Sequence, residues 1–368
     1  MEKKFIPFEV VERFMLKVME KAGIPVDDAK IIGDVLIQAD KFGIDSHGVN
    51  RLKSIYLDRI KEGILNPVTS YEIVRETPTT AVIDGHNGMG HVISFNSMKL
   101  AIEKAKKYGM SMVVVKNSTH YGIAGYYALM AVKENMIGIT GTNARPSIAP
   151  TFGVENMLGT NPFTFGIPSD EPFPFLLDCA TSITQRGKVE LYAREDKELP
   201  KGWVIDDNGE SKTDSNEVLK DLVAGRAALT PLGGIGEETA GYKGYGYATI
   251  VEILSSALQQ GAFMKGLLGI KDGKKVPFDL GHFFMAIDIS SFTDPEDFKK
   301  TTGEILRQLR ASRKMPGQSH IYTAGEKEYY TWLERQDKGV PFGDDLLKEF
   351  RDLSVEYDLK EYRPYFEK

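Results

Sequence analysis

The run Ala81-Val82-Ile83-Asp84 reads as a strand. It leads directly into Gly85-His86-Asn87-Gly88-Met89-Gly90 and then into helix-patterned sequence. A strand, a glycine-rich turn and a helix open a dinucleotide-binding βαβ unit when the glycines fall as G-x-G-x-x-G. One glycine then makes the tight turn, the next lets the backbone approach a pyrophosphate, and the third packs helix on strand. Here the spacing is G-x-x-G-x-G, and the next strand ends Val115-Lys116-Asn117 without an acidic residue to hold a ribose. The segment reads as a glycine-rich turn rather than a Rossmann phosphate site. A second stretch, Gly241-Tyr242-Lys243-Gly244-Tyr245-Gly246, opens an apolar helix predicted from Tyr245. Backbone N–H groups at a helix start, with a lysine beside them, suit phosphate, but that pattern alone is weak.

Residues 8–60 read as helical. Val10, Phe14, Val18 and Met19 recur at helical spacing, as do Ile31, Ile32, Val35 and Leu36 behind a Pro25-Val26-Asp27-Asp28 start. A third helix is predicted from Ser46 through Leu52, Ile55 and Tyr56. Beyond Gly63 and Pro67 the character changes. Strands are predicted at 71–74, 80–84, 111–115, 137–142, 175–178 and 282–288, and helices at 96–107, 121–135, 245–259 and 294–312. Residues 148–169 read as loop, 195–225 as a polar exposed stretch, and the tail 325–368 as charged and helical. A chain of 368 residues is long for one core. The order predicts a discontinuous helical domain, 1–75 with 305–368, around an α/β domain at 76–304.

With 42% hydrophobic and 27% charged residues, the composition is that of a globular protein. The net charge of −6 argues against a nucleic-acid binder, which would present a basic face. Cys179 is the single cysteine, so no intrachain disulfide forms. The N-terminus from Met1 lacks the apolar core of a signal peptide, and no apolar run reaches the roughly 20 residues of a membrane helix. These features point to a soluble cytoplasmic protein. The six histidines, 47, 86, 91, 120, 282 and 320, include no H-x-x-x-H or H-E-x-x-H pair, so no metal site is expected. A meeting of His86 and His91 across the glycine turn is a weaker possibility.

Asp45-Ser46-His47-Gly48-Val49-Asn50-Arg51 is the most suggestive segment. On a helix His47 and Arg51 would share one face. An arginine fork holds a carboxylate, and a nearby histidine moves the proton that accompanies hydride transfer. Spacing alone favours the plainer reading, a capped helix with a surface histidine. His120 sits just past the strand 111–115 in a polar loop, where a catalytic group and a structural one are equally expected. Asp178 ends a strand, either to orient a histidine or to cap the next segment. Cys179 has no basic neighbour in sequence and reads as a packed thiol. Asn161, in Gly159-Thr160-Asn161-Pro162, suits a turn or a ligand amide.

Taken in order, Asp45-Ser46-His47-Gly48 with Arg51, Asp84-Gly85 with Gly88 and Gly90, and His120 with Gly122 form the first half of a pattern. Gly159-Thr160-Asn161-Pro162, Asp178 with Ala180-Thr181-Ser182, Gly187-Lys188 and Lys243-Gly244-Tyr245-Gly246 complete it. The set resembles the second-type malate/L-lactate dehydrogenase family, which also includes sulfolactate, ureidoglycolate and diketogulonate enzymes and a cyclic-imine reductase. The resemblance covers roughly residues 10 to 330. It implies a non-Rossmann, mixed and largely antiparallel sheet that holds NAD, or NADP, and a homodimer or higher assembly. It implies oxidation of a small 2-hydroxy acid to its 2-oxo acid, of the malate/oxaloacetate or lactate/pyruvate type. His47 would be the acid/base, oriented by Asp178, and His120 a second candidate for that role. Arg51, with Ser46 beside it, would hold the substrate. Ala144, Thr160, Asn161, Asp178, Cys179, Ala180, Thr181, Ser182, Tyr242, Lys243, Ala324, Gly325 and Glu326 would line the cofactor. The alternatives are an imine or diketo-acid reductase on the same scaffold and a non-catalytic nicotinamide-binding protein.

Overall fold

The valine run at 113–115 occupies the middle of a seven-stranded sheet. Its strands are β1 (Glu72–Glu76), β2 (Thr80–Asp84), β3 (Met110–Ser118), β4 (Met136–Thr142), β5 (Phe163–Ile167), β6 (Phe175–Cys179) and β7 (Leu280–Asp288). In space they run β1-β2-β3-β7-β4-β5-β6. The β2–β3 pair is parallel and every other neighbouring pair in this sheet is antiparallel. The computed structural model describes residues 3–367. Met1 and Glu2, on which part of the N-terminal reading rests, and Lys368 of the tail lie outside the described residues. The fold is mixed and largely antiparallel, as the resemblance implies, and it is not a Rossmann sheet.

Side chains alternate across a strand. Val113 and Val115 therefore face one side with Ala81, Ile83, Phe284 and Ala286, while Val114 and Phe283 face the other. The helices Gly90–Tyr108 and Ala124–Val132 cover the first face, and Gly241–Leu254 covers the second through Val251. A separate core joins both chain ends. Phe14 and Met15 of the helix Phe8–Lys21 and Ile32 and Leu36 of Val26–Lys41 pack with Phe342, Phe350 and Phe366. Strand Lys4–Ile6 pairs antiparallel with Val340–Phe342 beside it. The helix Pro295–Ala311 runs through the expected boundary at 304/305.

The glycine turn at 85–90 is filled by protein. Gly90 N donates to Thr119 Oγ1 at 2.9 Å, and that hydroxyl donates to Gly88 O at 2.8 Å. A Cβ at residue 90 would lie 2.2 Å from Thr119 O. The loop carrying His120 thus occupies the start of this helix, which leaves no place there for a phosphate. Other expectations need correction. Residues 148–169 contain β5, because Phe163-Thr164-Phe165-Gly166-Ile167 alternates with its small residues inward. The stretch 195–225 is not merely exposed: Val204–Asp206 pairs with Ala227–Leu229, and Val218 of the helix Ser215–Ala224 joins a buried cluster. The helix predicted from Tyr245 begins at Gly241.

Candidate active site

Residues 45–57 do not form the regular helix that their spacing predicts. Gly48, at ψ −148°, breaks the segment into the 3-10 turns Asp45–His47 and Val49–Arg51, and a π-helical stretch, Leu52–Leu57, follows. His47 and Arg51 are therefore not stacked on one helix face. They remain neighbours, because Arg51 Nε donates to Ser46 O and its charge acts on His47. His47 Nδ1 meets Ser46 Oγ at 2.9 Å.

The loop after β3 brings the second imidazole. His120 stacks on His47 with centroids 5.9 Å apart and planes 20° off parallel. Its Nδ1 lies 2.7 Å from the hydroxyl of Tyr56, which the π-helical stretch delivers. His91 packs edge-on against Tyr56 at 4.7 Å and makes no contact with His86, which instead reaches Ser70. Strand pairing sets Asp178 opposite Thr164. Thr164 Oγ1 donates to Asp178 Oδ1 at 2.9 Å, and Gly125 N donates to Oδ2 at 2.7 Å. Asp178 makes no hydrogen bond to His47, the residue it is expected to orient; its carboxylate is held by these two donors. Asp178 and His47 instead share a cavity of about 230 Å³ with Ser46, Thr160, Ala180 and Gln185.

Burial, with the Arg51 charge added, pushes His47 down to about 4. Burial, then the charges of His47, His91, Arg51 and Arg59, holds His120 well below the ordinary histidine range. Burial pushes the Asp178 carboxyl up. Two neutral imidazoles can take a proton from a hydroxyl, and an anion bound nearby would offset the cationic part of their depression. Arg59 stacks on Phe278 at 4.3 Å and feels the charges of Arg51 and Arg145. Arg59 and Arg145 also line a hollow of about 290 Å³ that shares no lining residue with the His47 cavity.

Of the residues expected at the cofactor, Thr160, Asp178 and Ala180 line the His47 cavity. Thr181 underpins it, donating from both N and Oγ1 to Thr160 O. Asn161 is buried; its Nδ2 donates to Ala248 O at 3.0 Å and to Glu252 Oε2 at 2.8 Å, while its Oδ1 has no partner among the described residues. Ser182 Oγ is likewise buried and unpartnered. These free polar atoms beside a cavity wall fit an amide-bearing ring such as nicotinamide. Cys179 is a half-buried thiol, pushed up by burial and by Asp178. Ala144 packs its backbone against Gly159. Tyr242 and Lys243 are exposed on the first turn of Gly241–Leu254, with Lys243 Nζ 5.8 Å from the Tyr242 ring. Ala324-Gly325-Glu326 docks beside β6: Leu176 N donates to Ala324 O, and buried Glu326 accepts from Thr323 N and lies 2.8 Å from His320 Nε2. Neither Tyr242-Lys243 nor 324–326 lines the cavity.

His47 and Asp178 line the cavity, His120 and Arg51 stand beside His47 outside its lining, and the sheet is not of Rossmann type; the set suits the chemistry of a nicotinamide-dependent 2-hydroxy-acid dehydrogenase. The family model for malate/L-lactate dehydrogenase matches residues 6–351, and the chain belongs to that family. It is 44% identical over 355 residues to a malate dehydrogenase of Pyrococcus abyssi, covering 96% of this chain and 95% of that one. The crystal structure of malate dehydrogenase from Entamoeba histolytica superposes with a TM-score of 0.93 at 47% identity, covering 97% of this chain and 99% of that one. Sulfolactate dehydrogenase from Methanocaldococcus jannaschii superposes with a TM-score of 0.85 at 34% identity, covering 96% and 97%.

Proposed function

We propose that this dehydrogenase interconverts malate and oxaloacetate, with NAD as carrier ahead of NADP. The observation that carries the substrate is the cationic side of the site. Arg51 and Arg59 both act on the part-buried His120, and Arg145 acts on Arg59. One arginine suffices for a monocarboxylate such as lactate, whereas a second and a third suit a dicarboxylate. The relatives named malate dehydrogenase support the same reading.

Arg51 holds the carboxylate next to the reacting carbon. Thr160, Asp178 and Ala180, with the polar atoms of Asn161 and Ser182, would hold the nicotinamide ring. When bound, that group accepts or supplies the hydride. In oxidation, neutral His47 takes the hydroxyl proton. In reduction, protonated His47 returns it, and the negative substrate beside Arg51 raises the imidazole toward its ordinary value. Asp178 shares the cavity with the imidazolium without a hydrogen bond to it. His120, steadied by Tyr56, is the second candidate for the proton.

We place the assembly as a homodimer or higher in the cytoplasm. Supporting the assembly is an exposed apolar stripe, Tyr242, Tyr247, Ile250 and Ile253, on the outer side of Gly241–Leu254.

The test is nicotinamide oxidation with oxaloacetate, pyruvate, sulfopyruvate, diketogulonate and a cyclic imino acid, each with NADH and NADPH. Fastest turnover of oxaloacetate is expected; turnover confined to the imino acid refutes the reading. His47→Ala should lower kcat by roughly 10² to 10⁴-fold. Unchanged kcat there, with loss in His120→Ala, transfers the role to His120. Arg51→Lys should chiefly raise KM, because a point charge replaces a fork.

A further inference from the structure

We propose that Asp40 is a positioning residue for the reaction, its buried carboxylate fixing the chain break at Gly48 that sets His47 and Arg51 relative to each other. The inference rests on the reading that His47 and Arg51 act on the substrate. Asp40 lies in the last turn of the helix Val26–Lys41 and is 2% exposed. Its Oδ2 accepts from Val49 N at 2.9 Å. That N–H opens the second 3-10 turn, so Asp40 does from nine residues away what a capping side chain does locally. Gly48 lies directly over the carboxylate: a Cβ there would stand 2.2 Å from Oδ1 and 2.3 Å from Oδ2. Glycine and acid therefore occupy one space between them, and neither tolerates enlargement of the other.

The other side of the break is held from the far end of the chain. Arg335, the last residue of the helix Glu326–Arg335, donates through Nη1 to Asp40 O at 2.6 Å. It also grips the Asp45 carboxylate with both terminal nitrogens, Nη2 at 3.1 Å. The segment is thus tied at Asp45, before His47, and at Val49, before Arg51. Asp40 lies beyond the His47 cavity and lines none of it, so its effect passes through the backbone. Asparagine keeps an acceptor oxygen for Val49 N in nearly the same shape, which makes it a close replacement. Without the carboxylate, Val49 N loses its partner and Gly48 is free to turn. A displacement of about 1 Å at a site of this kind costs on the order of 10²-fold in rate.

Steady-state kinetics of the full chain test this, each variant assayed well below its own melting temperature. The variants are Asp40→Ala, Asp40→Asn, Gly48→Ala, Asp40→Ala with Gly48→Ala, and His47→Ala. Asp40→Ala should lower kcat/KM by roughly 10- to 100-fold, lowering kcat and raising KM together. Asp40→Asn should restore most of it. Gly48→Ala should be as damaging as Asp40→Ala in the natural background and should add little once Asp40 is alanine, because its obstacle is gone. Natural kinetics in Asp40→Ala, with activity lost in His47→Ala, overturn the inference; natural kinetics in His47→Ala overturn the site reading instead. Should Asp40→Ala fail to fold, natural kinetics in folded Gly48→Ala overturn the inference.

Discussion

His91→Phe is expected to flatten the acid loss of stability by about 2 kcal/mol between about pH 7.5 and pH 5. His91 is fully buried behind Tyr56, and neither ring nitrogen has a partner among the described residues. Burial, with the nearby His282 charge, pushes it down to about 3, against about 6.5 in an unfolded chain. A depressed pKa in the fold means that the stability is complete above about pH 6.5. It is then lost as pH falls toward the folded value, and no further below that. At about pH 5 the unfolded chain carries this proton and the fold does not. The difference, RT ln(1 + 10^1.5), is about 2 kcal/mol, and at about pH 7.5 it is close to zero. Phenylalanine removes the titration together with two unsatisfied nitrogens, and its ring can keep the edge-on contact with Tyr56. Its effect at the higher pH should stay within about 1.5 kcal/mol, the usual cost of a near-isosteric core exchange. Urea unfolding followed by far-ultraviolet circular dichroism at both pH values measures the two slopes. Equal slopes for His91→Phe and the natural chain would refute the argument, because His91 would then not be held neutral by the fold. His282, at about 3, and His47, at about 4, act with the same sign. The natural chain should therefore lose more than one histidine's share.

Tyr56→Phe deletes the hydroxyl on His120 Nδ1 and should lower kcat by about 3- to 30-fold, the worth of one buried hydrogen bond, with little change in KM. An unaltered kcat and pH–rate profile would argue that His120 plays no part in proton transfer. Gly90→Ala places a methyl 2.2 Å from Thr119 O. It should destabilise the protein by about 1–3 kcal/mol, read as a lower Tm, and should disturb the His120 loop; an unchanged Tm would refute the packing argument.

What spacing reveals here is periodicity, and it reveals it best in long elements. The N-terminal helices follow from recurrence and the valine strand from its apolar run, and the misplaced glycines at 85–90 rightly exclude a Rossmann site. The short and irregular pieces were hidden. Val204–Asp206 spans three residues, too few for a period to register. The His47 segment carries the composition of a helix, but Gly48 and the Asp40 carboxylate impose two tight turns on it. The site itself was legible only in part. His47, Asp178, Thr160 and Ala180 do share one cavity, whereas the partners that hold them were not visible. Thr164 reaches Asp178 through a strand register, and Gly125 through a helix start. Tyr56 was legible as an apolar position in a helical repeat, yet its hydroxyl meets His120 from 64 residues away. No local pattern records such meetings.

The central place of β7 has a consequence for how the molecule is made. The strand on which β3 and β4 both depend is supplied by Leu280–Asp288, far downstream of β6, which ends at Cys179. On the ribosome, the valine-rich edge of β3 and the edge of β4 emerge long before the segment that fills the gap between them. Unpaired apolar edges of this kind invite wrong partners, and closing so distant a pairing is slow. The strand Lys4–Ile6 waits longer still, for Val340–Phe342. Nascent chains of this enzyme therefore carry unfilled strand edges in both sheets until these late segments emerge.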